Sequence, residues 1–193
     1  MNPALQREAL GGDDEALLAR VAAGDASALG HAFERWHRDV YRFLSRLRGT
    51  RLDLDDLVQT TFLALPLAAV NHRPDGSARA FVLGVALQHA RRERRRILRR
   101  FALWQARREE LGDALDARDP ERVAGEREAL ARFSRALAAL PEAQREALLL
   151  VEVEGLRGED AAAAMGVPVN TVWTRLHHAR SALRRAVRPE EAP

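Results

Sequence analysis

Apolar residues recur at intervals of three and four positions along almost the whole chain, and this spacing constrains the fold more than any other feature. No segment keeps up the two-residue alternation of a half-buried strand, and we find no hairpin signal. The sequence therefore predicts an all-α protein. We expect two small helical domains joined by a flexible acidic linker, with a helix-turn-helix in the C-terminal domain.

The domain organisation follows from a change of composition. Residues 105–125 gather acidic side chains around Gly112 and Pro120, which indicates a linker. We expect a disordered tail at 1–12, a first domain at 13–104, the linker at 105–125, a second domain at 126–188 and a tail at 189–193. Asp13 and Asp14 are expected to cap the first helix, and Pro66 to kink or shorten the third.

Composition excludes several classes of function. The 193-residue chain has no cysteine, so disulfides, thiolate zinc sites and cysteine nucleophiles are excluded. The N-terminus lacks the apolar core of a signal peptide and the apolar runs are too short to span a membrane, so we expect a cytoplasmic protein. No phosphate loop, nucleophile elbow or catalytic dyad is recognisable. We therefore expect no enzymatic activity, no metal and no other cofactor.

The segment from Leu156 to Arg188 has the pattern of a helix-turn-helix. An alanine-rich short helix precedes Gly166, which supplies the tight turn, and Pro168 suits the start of the last helix. All 31 basic residues of the chain are arginines. Five of them and no acid lie between Trp173 and Arg188, whereas a merely solvated face would mix the two signs. The segment is expected to dock in the major groove of DNA; the alternative is a packed helical hairpin with an arginine-rich surface.

A second group of arginines lies between Gln88 and Arg100, where seven arginines accompany one acid. A solvated helix would explain them, and the functional interpretation is a track for DNA phosphates. Each duplex phosphate neutralised should make the logarithm of the affinity fall by about 0.9 per logarithmic unit of salt. Replacing Arg91, Arg92 and Arg95 by alanine is therefore expected to weaken DNA binding and flatten its salt dependence.

Motifs in both halves, in the same order, resemble one known family. They are Gly24-Asp25, Val40-Tyr41-Arg42-Phe43-Leu44, Asp56-Leu57-Val58-Gln59-Thr60-Thr61-Phe62, Leu140-Pro141-Glu142-Ala143-Gln144-Arg145-Glu146-Ala147, Gly166-Val167-Pro168-Val169-Asn170-Thr171-Val172 and Ala179-Arg180. The sequence is similar to bacterial RNA polymerase sigma factors of the sigma-70 family, extracytoplasmic-function type. The resemblance covers about residues 13–188 and implies a subunit that binds core polymerase and reads the −10 and −35 promoter elements.

The resemblance also implies roles for individual residues. The residues implied to bind the polymerase clamp helices are Asp55, Asp56, Gln59 and Phe62, although Phe62 could be only core and Asp56 only a cap. Those implied to face the −10 DNA are Asn71, His72, Arg73, Phe81, Gln88, Arg91, Arg92 and Arg95. Those implied to face the −35 duplex are Thr171, Trp173, Thr174, Arg175, His177, His178, Arg180 and Arg184. Further partners implied are the polymerase flap and an inhibitory anti-sigma factor.

The chain departs from the family pattern at several positions. Phe81-Val82-Leu83 stands where Trp-Leu-Tyr is usual, Gln88 where asparagine is usual, and Arg92 where aspartate is usual. Pro66 and Trp173 are also unusual. Two alternatives stay open: a stand-alone helix-turn-helix transcriptional regulator without polymerase binding, and a protein-interaction module that is silent on DNA. The Asp56–Phe62 helix argues against the first, and the arginine-only face of the last helix argues against the second.

Overall fold

The computed structural model describes residues 3–48, 54–72, 76–109 and 126–187. Within these segments the chain forms eight α-helices and no strand, which confirms the all-α prediction. The helices are α1 (Pro3–Ala22), α2 (Ala26–Arg48), α3 (Leu54–Ala69), α4 (Ala78–Glu109), α5 (Glu126–Ala139), α6 (Glu142–Leu148), α7 (Gly158–Met165) and α8 (Val169–Val187). A π-helical turn, Leu149–Val153, continues α6. No helix in these segments is long and apolar enough to cross a membrane.

Several predicted boundaries differ from the structure. Helix α1 begins at Pro3, so it includes most of the predicted tail, and Asp13 and Asp14 lie inside it instead of capping it. Proline is favoured at the first helical position, and the residues on both sides of the Gly11–Gly12 pair are good helix formers. That pair therefore costs about 1 kcal/mol per glycine without ending the helix.

Two further differences concern α3 and α4. Helix α3 continues past Pro66 to Ala69, so the proline does not end it. A proline inside a helix removes the hydrogen bond to the carbonyl four residues earlier and crowds that carbonyl, but the chain beyond it can stay helical. Helix α4 reaches Glu109, beyond the predicted start of the linker. The remaining linker, residues 110–125, and the predicted C-terminal tail lie outside the described residues.

The first four helices pack around a large apolar core. Its fully buried side chains include Leu18, Trp36, Phe43, Leu65 and Leu87. On α2, Ala28 and Ala32 are buried, whereas Phe33 and Tyr41 are partly exposed.

The C-terminal helices form the predicted helix-turn-helix. Gly166 has φ +67°, in the left-handed region that favours glycine, and it ends α7 just before α8 begins. Val172, Leu176 and Ala179 are the buried residues of α8, at helical spacing. The alanine-rich α7 allows close packing, as its composition predicts, and it packs most extensively on α4.

The two halves share one continuous core. Leu149, Leu150, Ala161 and Met165 from the C-terminal half belong to the same buried cluster as the first four helices. A close approach lies at Gly84, where an added Cβ would lie 3.0 Å from the Cα of Ala164. An alanine at position 84 would therefore require the neighbouring Ala164 to shift by a few tenths of an ångström.

Candidate functional site

The exposed face of α8 carries most of the residues that we expected to face the −35 duplex. Trp173, Thr174, His177, His178, Arg180 and Arg184 are all exposed. Thr171 and Arg175 are half-buried. Arg180 forms an ion pair with Glu152, which follows α6 in the same half. The face therefore combines guanidinium groups, which bind phosphate, with ring and hydroxyl groups that can meet base edges.

The indole of Trp173 packs against Gly158, at the start of α7. An added Cβ at Gly158 would lie 2.5 Å from Cζ2 of Trp173 and 3.0 Å from its Cε2, so the indole rests directly on the glycine backbone. The side chain is nevertheless 47% exposed. One side of the indole is thus held by α7, and the rest is left as an apolar surface on the side of α8 that also carries Thr174.

Four of the residues expected to face the −10 DNA come together in one cleft of about 660 Å³. They are Asn71, His72, Phe81 and Gln88. The rings of His72 and Phe81 meet edge to face, with centroids 4.8 Å apart. Nε2 of His72 lies 2.6 Å from Oε2 of Glu15, whose other oxygen accepts the Ala78 N–H at 2.6 Å. Arg73 lies outside the described residues.

The opposite wall of this cleft comes from the C-terminal half. Arg157, Asp160 and Ala164, from α7 and the residue before it, line the cleft together with the −10 candidates. Asp160 Oδ1 accepts the backbone N–H of Ser77 at 3.4 Å, and its Oδ2 accepts Nε of Arg157 at 2.9 Å. The cleft is therefore a feature of both halves, and the sequence pattern did not reveal this.

The arginines of α4 separate into two groups. Nε and Nη2 of Arg91 donate to the two carboxylate oxygens of Glu146, at 2.8 and 2.6 Å, and its Nη1 donates to the Met165 carbonyl at 3.0 Å. The hydrogen bonds to Glu146 raise the pKa of Arg91, and they outweigh the lowering by burial. Arg92 and Arg95 are instead exposed.

Arg95 also lines a second groove between the halves, of about 450 Å³. Arg175 lies on the opposite side of this groove, so it faces α4 and is set apart from the exposed stripe of α8. Arg94 pairs with Glu142 at the same groove. The charge pattern of the sequence could not assign these arginines, because their surroundings come from helices that are distant along the chain.

Helix α3 carries the residues expected to bind polymerase. Asp55, Asp56 and Gln59 are exposed. Phe62 is only 4% exposed and packs edge-on against Phe33, with ring centroids 5.0 Å apart. It therefore supports the helix from inside and presents no surface of its own.

An apolar stripe that was not among the predicted site residues continues from Asp56 and Gln59 along the same side of α3 and just past its end at Ala69. Leu63, Leu67 and Val70 are 70%, 80% and 65% exposed. Their spacing of four and three residues places them on one helical face. The spacing of this second stripe is readable in the sequence, but the buried face of α3 is formed by Leu57, Val58, Phe62 and Leu65.

Comparisons with known proteins cover both halves. Family models for sigma-70 region 2 and for sigma-70, region 4 match residues 32–101 and 130–183. The ECF RNA polymerase sigma factor SigC of Mycobacterium tuberculosis is 36% identical over 188 residues, which cover 93% of this chain and 95% of the relative. The solved structure of CnrH in complex with the cytosolic domain of CnrY matches with TM-score 0.61 and 26% identity, over 89% of this chain and 95% of CnrH. The sigma factor RpoE of Bartonella quintana, solved with the anti-sigma factor NepR, has TM-score 0.60 at 22% identity over 82% of this chain and 95% of RpoE, and it supports the fold alone.

Proposed function

Because this chain belongs to the sigma-70 family, as a sigma factor of the extracytoplasmic-function type, we propose how its residues divide the work of promoter recognition. As a sigma factor it binds core RNA polymerase and directs promoter-specific initiation. The observation that carries the assignment is the pairing, in one chain, of an exposed α8 face in a helix-turn-helix with a separate helical half that matches region 2. We propose that it has no catalytic activity and that it acts in the cytoplasm, together with polymerase and promoter DNA.

Reading of the −35 element is assigned to α8. The second helix of such a motif lies in the major groove with its first residues on base edges. Trp173, Thr174, His177 and His178 take that position, and Arg180 and Arg184 lie further along for the phosphates. Thr171 and Arg175 are half-buried, so we give them a supporting place at the edge of this surface.

Reading of the −10 element is assigned to the cleft formed by Asn71, His72, Phe81 and Gln88. Bases of a melted strand need stacking partners and hydrogen-bond donors, and this group supplies two rings and two side-chain amides. Arg92 and Arg95 are exposed further along α4 and can follow the phosphates. Arg73 is the remaining neighbour in sequence that the resemblance implies for the −10 DNA.

Polymerase binding is assigned to the exposed side of α3. Asp55, Asp56 and Gln59 supply polar groups near its N-terminus, and the stripe of Leu63, Leu67 and Val70 supplies apolar area. Large exposed apolar side chains in a row mark interaction surfaces more often than isolated ones do. This stripe also disfavours a stand-alone DNA-binding regulator, which has no need of it. We infer further contacts with the polymerase clamp helices and flap.

An inhibitory partner is the remaining proposal. CnrH is solved with the cytosolic domain of CnrY, and RpoE with the anti-sigma factor NepR. We infer that this chain also has an anti-sigma factor. Affinity capture from the native host should recover it along with polymerase, and recovery of polymerase without any regulator contradicts this inference.

Transcription from a library tests the main proposal. The purified chain is combined with bacterial core polymerase on templates with randomised upstream DNA, and the transcript starts are sequenced. We expect starts downstream of two recurring sequence blocks. If the chain co-elutes with core polymerase but no specific start is found, the proposed function fails. Binding to duplex DNA without co-elution would favour the stand-alone regulator.

A further inference from the structure

The indole of Trp173 presents a carbon edge on the exposed face of α8. The ring atoms nearest to an added Cβ at Gly158 are Cζ2, Cε2 and Nε1, at 2.5, 3.0 and 3.3 Å. In the benzene part of the ring the atoms opposite Cζ2 and Cε2 are Cε3 and Cζ3, which are both carbons. Nε1 is the only polar atom of an indole, and it is among the atoms that lie toward Gly158. The part of the ring furthest from Gly158 therefore offers neither a hydrogen-bond donor nor an acceptor.

Trp173 lies where a recognition helix meets the bases. Helix α8 begins at Val169, so Trp173 is among its early residues. The early residues of the second helix in a helix-turn-helix contact base edges in the major groove. The side chain is 47% exposed even though Gly158 supports one side of it. A large apolar area therefore remains available at the level of the base edges.

The neighbours of Trp173 on this face are polar. Oγ1 of Thr174 donates to the Asn170 carbonyl at 2.9 Å, so its hydroxyl hydrogen is already engaged within the helix. His177 and His178 are exposed one turn further along, and their ring nitrogens can donate or accept hydrogen bonds. Trp173 is one of the positions at which the chain departs from the family pattern, so the resemblance does not say which chemical group its indole meets. That group has to be inferred from the chemistry of the indole itself.

Thymine is the base whose edge suits a carbon surface. In the major groove it alone presents a methyl group, whereas adenine, guanine and cytosine present mainly hydrogen-bond donors and acceptors. A methyl group against the indole edge removes apolar surface of both partners from water, which is favourable. An amino group or a carbonyl oxygen in the same place would lose its hydrogen bond to water and gain no partner. The indole edge therefore favours thymine and disfavours the other three bases.

We propose that Trp173 determines specificity for a thymine in the −35 element, through contact between the carbon edge of its indole and the thymine 5-methyl group. The proposal rests on the assignment of −35 reading to α8 made above. Gly158 acts as a positioning residue, because its missing side chain lets the indole lie against α7. The ring is thus held before DNA arrives, and little side-chain freedom is lost on binding. One methyl group buried in this way contributes about fourfold in affinity.

Removing the methyl group from the DNA tests the contact without altering the protein. Deoxyuridine differs from thymidine only in lacking the 5-methyl group. In a promoter recovered from the library, each thymine of the −35 block, on either strand, is replaced in turn by deoxyuridine. Holoenzyme assembled from the wild-type chain and core polymerase is then titrated onto each labelled duplex. We expect at least one position at which loss of the methyl group weakens binding about fourfold.

Protein variants assign that position to one side chain. W173A removes the indole, so its holoenzyme should bind the thymine duplex at least about fourfold more weakly and should no longer distinguish thymine from deoxyuridine there. G158A keeps the indole but displaces it from its support, so it should reduce the thymine-to-deoxyuridine ratio. R184A is the matched control, because Arg184 is exposed further along α8 and is assigned to phosphate. It should weaken binding to both duplexes by the same factor and leave the ratio unchanged.

The outcomes separate this proposal from the proposed function. The thymine contact is wrong if no thymine of the −35 block is sensitive to loss of its methyl group, or if the block has no thymine on either strand. It is also wrong if W173A keeps the wild-type ratio, because another residue then contacts the methyl group. An unchanged ratio together with weaker co-elution of W173A with core polymerase would make the indole a protein contact. If the wild-type chain co-elutes with core polymerase but gives no specific start, the proposed function has failed and the thymine contact falls with it.

Discussion

A single missing side chain at position 158 determines where Trp173 lies. The indole occupies the space that a Cβ on Gly158 would need, 2.5 Å from Cζ2. Trp173 is one of the residues at which the sequence departs from the family pattern. The structure gives it a rigid support, which makes it an ordered part of the α8 surface.

Gly158→Ala should therefore displace the indole or shift α7. We expect a loss of about 1–3 kcal/mol in the free energy of unfolding, as for other overpacked sites, together with a change in tryptophan fluorescence. Urea unfolding and emission spectra measure the two effects.

Gly30→Ala is the matched control, because a Cβ at Gly30 of α2 would meet no atom within 4 Å. It should stabilise the protein by about 0.5–1 kcal/mol, since alanine is the better helix former. Equal effects of the two substitutions would show that Trp173 does not rest on Gly158.

At the scale of one helix, α3 has a buried inner face and an outer face that is also apolar. The outer stripe of Leu63 and Leu67 is apolar, yet its side chains are 70% and 80% exposed. Leu67→Glu should weaken binding to core polymerase at least about tenfold, equivalent to about 1.4 kcal/mol, because a charge replaces contact area.

The stability of the Leu67→Glu variant should stay near that of the wild type, because the side chain is 80% exposed. Ala16→Glu, at an exposed position of α1, is the control for an added charge. Binding is measured by titration of labelled chain with core polymerase. If both variants bind as the wild type does, α3 is not the docking helix.

Helix α4 requires a revision of the expected phosphate track. Its arginines are not equivalent, because Arg91 is engaged by Glu146 whereas Arg92 and Arg95 are exposed. Arg92→Ala/Arg95→Ala should lower the slope of log affinity against log salt by about 0.7 for each single-strand phosphate that the variant no longer neutralises.

Arg91→Ala should leave that slope nearly unchanged, since its main partner is a carboxylate of the protein. Arg20→Ala, which removes an exposed arginine of α1 that pairs with Asp25, is the control for net charge. A slope that falls equally in all three variants would mean that net charge alone, and no track on α4, determines the salt dependence.

At the scale of the whole molecule, the ion pairs between the two halves link the packing of the halves to the free energy of unfolding. Removing Arg91 leaves the carboxylate of Glu146 buried without its partner, which costs about 3–5 kcal/mol in a closed protein. If the two halves separated, that carboxylate would be exposed to water. The measured loss in the free energy of unfolding therefore cannot exceed the free energy that holds the halves together.

We therefore expect Arg91→Ala to destabilise the protein and to increase its radius of gyration in X-ray scattering. The double variant Arg91→Ala/Glu146→Ala should recover part of the lost stability and of the compactness, because no charge remains buried. Losses that simply add in the double variant would contradict the coupling.

The predictable features of this protein are local ones. Gly166 was expected to make the turn before α8, and it does so with a left-handed backbone. The exposed stripe from Trp173 to Arg184 follows from a period of 3.6 residues, which places every fourth or third side chain on one face. Such features depend on neighbours within one or two turns, so composition and spacing determine them.

The tertiary structure decided which surfaces are free. Arg91 and Glu146 are 55 residues apart, and nothing in the spacing of either helix shows that they meet. Phe62 is buried while Leu67 is exposed, because neighbouring helices cover one side of α3 and leave the other open. The sequence by itself determined the helices, the turn and the family. Contacts between distant segments determined which of the candidate DNA-binding residues are available, because burial and ion pairing depend on how the two halves pack against each other.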